Sequence, residues 1–286
     1  MLLKKIIDII LAFFLIILSI PILTVFCIIL VFELRSQPLY LQERGLTLER
    51  HRFKIIKLKT IKTSFEKILH TTEEDIFLKP GLQDKVTPFC KWLRKTGLDE
   101  LPQLFNVFIG QMSLIGPRPL MIEDLETMKR TSKELYTRRS KLNCLPGISG
   151  LWQLFGNRSE GLIGMIALES LYEKVASPML DLKLIAYTFT VVIQAKNSDS
   201  IFHKEKSNPF RSRTIINNSS NLKVSLNMPD GIAKFIVENV ERYEGKYTVE
   251  IPENWWYVSD TYDTKKNEES DAKIYPIDNN SKKTAP

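Results

Sequence analysis

Asp99 and Glu100 stand side by side in the segment Arg94-Lys-Thr-Gly-Leu-Asp-Glu-Leu-Pro-Gln103, and Gly116-Pro-Arg118-Pro119 follows closely. Acids beside fixed cations suit phosphate chemistry. An aspartate can attack phosphorus covalently, and Mg²⁺ favours a carboxylate or two together with substrate phosphates. Adjacent positions aim the two groups differently, which suits Asp99 as nucleophile and Glu100 as metal ligand. The bland alternative is electrostatic: acids in a first helical turn favour the positive end of the dipole, and Asp is a good N-cap. Arg118 lies in a Pro-Arg-Pro turn that fixes its backbone, as a bidentate phosphate clamp requires; a surface arginine beside a helix start is the other reading. Arg94, Gln42-Glu43-Arg44 and Lys57-Leu58-Lys59 admit the same two readings, a solvated strand face being the plainer one for the lysines. His51, His70 and His203 lack partners at useful spacing, and neither a P-loop nor GxGxxG occurs.

Periodicity sets these groups on short elements. Residues 38–42 and 53–59 alternate apolar and polar and read as a β-hairpin turned through Gly45. Residues 62–87 read as a surface loop with a short helix. Phe89 to Leu93 is a short helix with Arg94 near its end, and Glu100 to Ile109 is a second, with Leu101, Leu104, Phe105 and Phe108 at helical spacing. A charged helix is expected over 120–142, a turn at Pro146–Gly150 and a helix over Glu169–Lys174. Asp181 to Lys196 is amphipathic and suited to a membrane surface. Asn- and Ser-rich residues 216–221 read as linker. A strand at 222–228, a helix opened by Pro229-Asp230-Gly231 and a strand at 247–251 then make a small β-α-β unit, and the composition beyond Ser259 is that of a disordered tail.

The other end of the chain is almost wholly apolar from Ile9 to Phe32, long enough for a bilayer and without the small-residue cleavage site of a signal peptide. Pro21 should bend or break this helix, and Ser19 can cap a freed backbone group. Basic residues flank both ends: Lys4 and Lys5 before, Arg35, Arg44, Arg50, Arg52 and Lys54 after. That suits a helix that turns at Pro21 and returns to one face, although a kinked single span stays an equal alternative on this ground. The net charge of +7 and pI of 9.1 point to an anionic partner. Basic residues interleaved with aromatics as in a nucleic-acid surface are not apparent, so lipid and phosphate are favoured over nucleic acid. Cys27, Cys90 and Cys144 are odd in number and form no CxxC pair, which fits a reducing compartment without disulfides or a zinc site.

Taken together, the chain from Lys4 to about Lys196 resembles the bacterial sugar transferases, the monotopic phosphoglycosyl transferases. The most specific parts are Arg94 to Asn106 and Met112-Ser-Leu-Ile-Gly-Pro-Arg118-Pro. Lys57-Leu-Lys-Thr60, Gln42-x-Arg44, Pro146-Gly-Ile-Ser-Gly150 and Glu169-x-x-Tyr172 fall in the same order. The resemblance implies a ping-pong reaction on the cytoplasmic face of the bacterial inner membrane. Asp99 would attack the sugar-bearing phosphate of a UDP-sugar, UMP would leave, and a polyprenyl phosphate would take the sugar phosphate to start a surface glycan. Glu100 then matches the Mg²⁺ ligand, and Arg94, Arg118, Lys59, Arg44 and Arg158 become phosphate-binding candidates. In the family the membrane helix re-enters and breaks at a proline, which favours the hairpin here.

The expected fold is α+β and mostly helical. A re-entrant membrane helix (1–35) is followed by a catalytic domain (36–200), a linker (201–221), the β-α-β appendage (222–258) and the tail (259–286). Departures from the family pattern are Ser19-Ile20-Pro21 for Ser-Pro, Gln111 for the acid of Gly-Asp-Met-Ser, Gly156-Asn157-Arg158 for Asn-Gly-Arg, and Glu169 for Asp. The changes at Gln111 and Asn157 motivate a rival reading, an inert membrane-anchored scaffold for glycan-assembly partners. Homodimerisation or association with other glycan-assembly enzymes stays open. Donor specificity is expected from loops at 62–87 and 150–165.

Overall fold

The computed structural model describes residues 2–61, 86–156, 161–195, 213–217 and 222–226, with residues 229, 232, 235 and 236. It divides into two compact units, Met1–Asn208 and Pro209–Pro286.

The first unit opens with α1, Leu2–Leu34, the one described helix long and apolar enough to cross a membrane. The helix runs on through Pro21, the residue at which a bend or break is expected. Proline removes one backbone donor, and hydroxyls engage the neighbouring carbonyls, Ser19 donating to Ile16 O at 3.0 Å and Thr24 to Ile20 O at 2.9 Å. Ser19 thus serves a carbonyl N-terminal to the proline. Both halves of α1 rest on the same unit. In the first, Lys4 pairs with Asp181 (2.7 Å), Asp8 accepts from Ser113 (2.6 Å), and the ring of Phe13 lies 6.0 Å from that of Phe108. In the second, Phe26, Leu30 and Leu34 form a core with Leu58, Cys90 and Leu93. The remaining face leaves Ile6, Ile10, Phe14, Leu18, Val25 and Phe32 exposed, an apolar surface of the kind that marks a membrane contact.

The hairpin is present: β1 (Leu39–Gly45) and β2 (Phe53–Leu58) pair antiparallel from Leu39↔Leu58 to Arg44↔Phe53. After α2 (Pro88–Thr96), Gly97 takes φ +77° and closes the helix by donating to the carbonyls of Leu93 and Arg94. Only glycine holds such a left-handed cap without strain. The helix expected from Glu100 divides at Pro102 into a 3₁₀ turn, Leu98–Glu100, and α3, Gln103–Phe108. The charged helix likewise divides at Ser132 into α4 (Ile122–Thr131) and α5 (Lys133–Ser140), Ser132 itself being non-helical at φ −133° and ψ 60°.

Residues 146–150, expected as a turn, contain β5 (Gly147–Ser149), which pairs parallel with β3 (Ser113–Ile115). Glycine permits this pairing because a Cβ on Gly147 would lie 2.1 Å from the Gly116 nitrogen. β4 (Leu120–Met121) joins the hairpin in the order β2-β1-β4, with Arg44 opposite Met121. The short α6 (Leu151–Phe155), α7 (Gly161–Val175) and α8 (Pro178–Ile193) complete the unit, α8 being N-capped by Ser177.

In the second unit β6 (Arg213–Asn217) pairs antiparallel with β7 (Leu222–Leu226). Its first strand falls inside the stretch expected as linker, where Thr214-Ile215-Ile216 supplies β-branched residues suited to a strand. Ile232, Phe235 and Ile236 are helical, in keeping with the helix expected there. The loop at 62–85, the strand expected at 247–251 and the tail lie outside the described residues.

Candidate active site

Sheet register and one turn bring the charged residues together. β4 begins two residues after Arg118, and its pairing on β1 sets Arg44 beside the Pro-Arg-Pro turn. The 3₁₀ turn carrying Asp99 and Glu100 packs on β2. The result is a pocket lined by Arg44, Lys57, Glu100, Gln103, Arg118 and Gln153, among others.

Glu100 accepts from the Lys57 ammonium at 2.5 Å. Burial would raise its carboxyl, but Lys57, Arg118 and Arg44 together outweigh burial and hold it below the ordinary carboxylate range. Arg44 donates twice to Gln42 Oε1, at 2.7 and 3.1 Å, and once to the Pro119 carbonyl at 3.4 Å. Burial and the like charge of Arg118 push its guanidinium down to about 10, still protonated at neutral pH. Three cations facing one acid leave the pocket short of negative charge, a deficit that a diphosphate can fill.

Neither acid occupies the N-cap of α3, which is Pro102, so the capping explanation does not hold for that helix. Asp99 is buried, 6% exposed, and lies directly beside the pocket residue Glu100 without lining the pocket itself. Arg94 donates to the Thr60 hydroxyl at 3.0 Å and does not line the pocket. Lys59 is buried past the end of β2, and its amide donates to Pro38 O at 2.7 Å. The lysine lining the pocket is therefore Lys57, on the same face of β2 as Ile55. Arg158 lies outside the described residues, as does Asn157. Ser19 and Pro21 are placed in α1, as described.

Gln111 is exposed and its side-chain oxygen accepts from Asn106 at 2.8 Å; it does not line the pocket. No group of three or more His, Cys, Asp or Glu that could cage a metal occurs among the described residues. The donor set fits a hard cation held by one carboxylate and the oxygens of a bound phosphate compound, which is how Mg²⁺ is commonly bound.

Residues outside the expected phosphate- and metal-binding set also contribute. Gln103 and Gln153 line the pocket, but lone amides in an apolar stretch carry no periodic signal. Arg139 and Glu169 hold the Arg118 backbone. The Glu169 carboxylate accepts the Arg118 amide at 2.8 Å and is ion-paired with Arg139, which also donates to the Arg118 carbonyl. Burial raises the Glu169 carboxyl and lowers Arg139, while each opposes the shift of the other. Below this turn Tyr172 donates to Asp181 at 2.6 Å, and Asp181 meets Lys4 of α1. The acid and tyrosine of Glu169-x-x-Tyr172 could be singled out from the sequence by motif alone, whereas Arg139, between Arg138 and Ser140, reads as one more solvated charge.

The family model described as bacterial sugar transferase matches residues 1–195. The chain is 39% identical over 134 residues to a UDP-glucose:undecaprenyl-phosphate glucose-1-phosphate transferase of Klebsiella pneumoniae, covering 45% of this chain and 26% of the relative. It is 32% identical over 147 residues to a galactosyl transferase, CpsE, of Streptococcus agalactiae, covering 49% and 31%. It is 32% identical over 155 residues to the exopolysaccharide production protein ExoY of Sinorhizobium fredii, covering 51% and 66%. The matched region thus spans from about a quarter to two thirds of these relatives.

Proposed function

We propose that this chain, which belongs to the bacterial sugar transferase family, moves a sugar 1-phosphate from a UDP-sugar to a polyprenyl phosphate of the undecaprenyl type, the first step of a surface glycan. The observation that carries this reading is the convergence of Arg44, Lys57 and Arg118 on Glu100, next to Asp99. In the first half-reaction an Asp99 carboxylate oxygen bonds to the phosphorus bearing the sugar, and the bond from that phosphorus to the bridging oxygen breaks. UMP leaves with the bond's electron pair. In the second, an oxygen of the polyprenyl phosphate attacks the same phosphorus, the aspartyl–phosphorus bond breaks, and the Asp99 carboxylate is restored.

Arg118 and Arg44 bind the diphosphate oxygens and offset the charge that gathers on the leaving UMP, a role in which loss of one donor typically costs ~10²–10³ in rate. Glu100 would be the residue to hold a divalent cation, and Lys57, which meets it at 2.5 Å, is placed to contact phosphate. That cation, Mg²⁺, would supply charge neutralisation on the diphosphate. Arg94, Lys59 and Arg158 remain further candidates for phosphate contact.

The reading also assigns α1 to the bilayer as a re-entrant element with both ends on the cytoplasmic face. It is supported by the packing of both halves of the helix on one unit and by basic residues at each end. A polyprenyl tail could then stay in lipid while its phosphate reaches Asp99. The test is UMP release by the purified full chain with Mg²⁺, undecaprenyl phosphate and a panel of UDP-sugars. Donor alone should label the protein with sugar phosphate, and Asp99→Asn should abolish both label and release. Full turnover by Asp99→Asn would overturn the mechanism, and absence of release with every donor would favour the scaffold.

A further inference from the structure

Arg139 is wholly buried, yet it is a cation in a short polar helix. Its nitrogens serve three parts of the fold at once. Nε donates to the Leu46 carbonyl at 2.8 Å, one terminal nitrogen meets Glu169, and the other meets the Arg118 carbonyl. Glu169 in turn takes the Arg118 amide at 2.8 Å. Pro117 and Pro119 have no N–H, so that amide is the single backbone donor of the Pro-Arg-Pro turn. One buried ion pair therefore holds both peptide groups of Arg118, and through Leu46 it reaches the end of β1, two residues beyond Arg44.

We infer that Arg139 and Glu169 are a positioning pair, which fixes the direction in which Arg118 presents its guanidinium and its spacing from Arg44. Neither residue touches the donor; both act through the turn. A buried ion pair is a weak source of stability, because desolvation offsets the attraction and apolar side chains often serve as well. What it does supply is a planar fork with fixed donor directions. The alignment itself does not depend on the ligand, but its service to a diphosphate rests on the function proposed above.

Arg139→Lys keeps a cation for Glu169 but cannot bridge three acceptors in a plane. Hydrogen exchange on the full chain in detergent should show the Arg118 amide exchanging at least about tenfold faster in this variant, with α8 unchanged. Affinity for UDP in the presence of Mg²⁺, measured by calorimetry, should fall about tenfold when Arg118 is present and less than about twofold in an Arg118→Ala background. A residue that merely supports the fold would weaken both backgrounds alike, and that result overturns the inference, as does unchanged exchange at Arg118. If Arg139→Lys does not fold, Glu169→Gln is put through the same two measurements, with the same outcomes expected. Should the wild type bind no UDP, the diphosphate reading fails, while exchange at the Arg118 amide still decides whether the pair sets the turn.

Discussion

Asn106 shows how one amide can complete a strand and account for a neighbouring substitution. It is buried; its nitrogen donates to Lys54 O and to Gln111 Oε1, both at 2.8 Å, and its oxygen accepts the Ile56 amide at 3.0 Å. It thus pairs two backbone groups of β2, which is an edge strand among the described residues. Asn106→Ala should cost about 2–4 kcal/mol, since each buried group left unpaired costs ~1–3 kcal/mol; a denaturant midpoint reads this directly. Gln111 enters only as an oxygen for that amide, and an aspartate supplies one too. Gln111→Asp should therefore leave UMP release within about twofold of wild type. A loss of tenfold or more would show that position 111 acts on the substrate. Asp99, Glu100 and Arg118 were legible in the sequence because short contiguous motifs carry them. Arg139 gives no such signal, and Lys57-Leu58-Lys59 does not say which lysine faces the acid, because burial of a charge and the end of a strand are properties of the assembled fold.

Short elements, rather than long ones, position this site. Alternation disclosed β1 and β2, but nothing local discloses β5, a three-residue strand whose partner lies more than thirty residues away. Its pairing depends on close approach of two glycine backbones. In Gly147→Ala the added methyl meets the Gly116 nitrogen, and the expected loss is about 3 kcal/mol or more, with UMP release falling alongside the melting temperature. Pro102 is visible in the sequence and does divide the expected helix, which leaves Asp99 and Glu100 in a tight turn of their own. The connection from β1 to β2 is fastened differently. Glu49 accepts from Lys129 at 2.8 Å and from the Tyr136 hydroxyl at 2.5 Å, and these bonds hold its carboxyl at about 2. A folded value below the unfolded one means stabilisation that is complete above the ordinary carboxylate range and lost as pH falls towards 2. Glu49→Gln should accordingly lower the melting temperature slightly at pH 6 and leave it unchanged near pH 2, the effect being small because the group is exposed.

At the scale of the molecule, the first unit contains α1, the pocket and the network below it, and the second contains the β6–β7 pair. A chain ending at Asn208 is expected to keep UMP release near that of the full chain, and loss of release on truncation would assign the second unit a part in catalysis. Single cysteines placed ahead of Lys4 and at Ser36, in a chain freed of its own thiols, should both resist a membrane-impermeant reagent added outside intact cells. Labelling of either one would exclude a helix that returns to the cytoplasmic face.

Lys4 and Asp181 stand 177 residues apart and meet at 2.7 Å. On a ribosome adding about 5–20 residues per second, roughly 10–35 s separate the synthesis of these partners. Throughout that interval Lys4 lacks this acceptor, whereas the second half of the helix behind it finds Leu58, Cys90 and Leu93 well before Asp181 is made. The Lys4–Asp181 contact is then a latch that can close only once α8 has been made, and it fastens the amino-terminal end of α1 last.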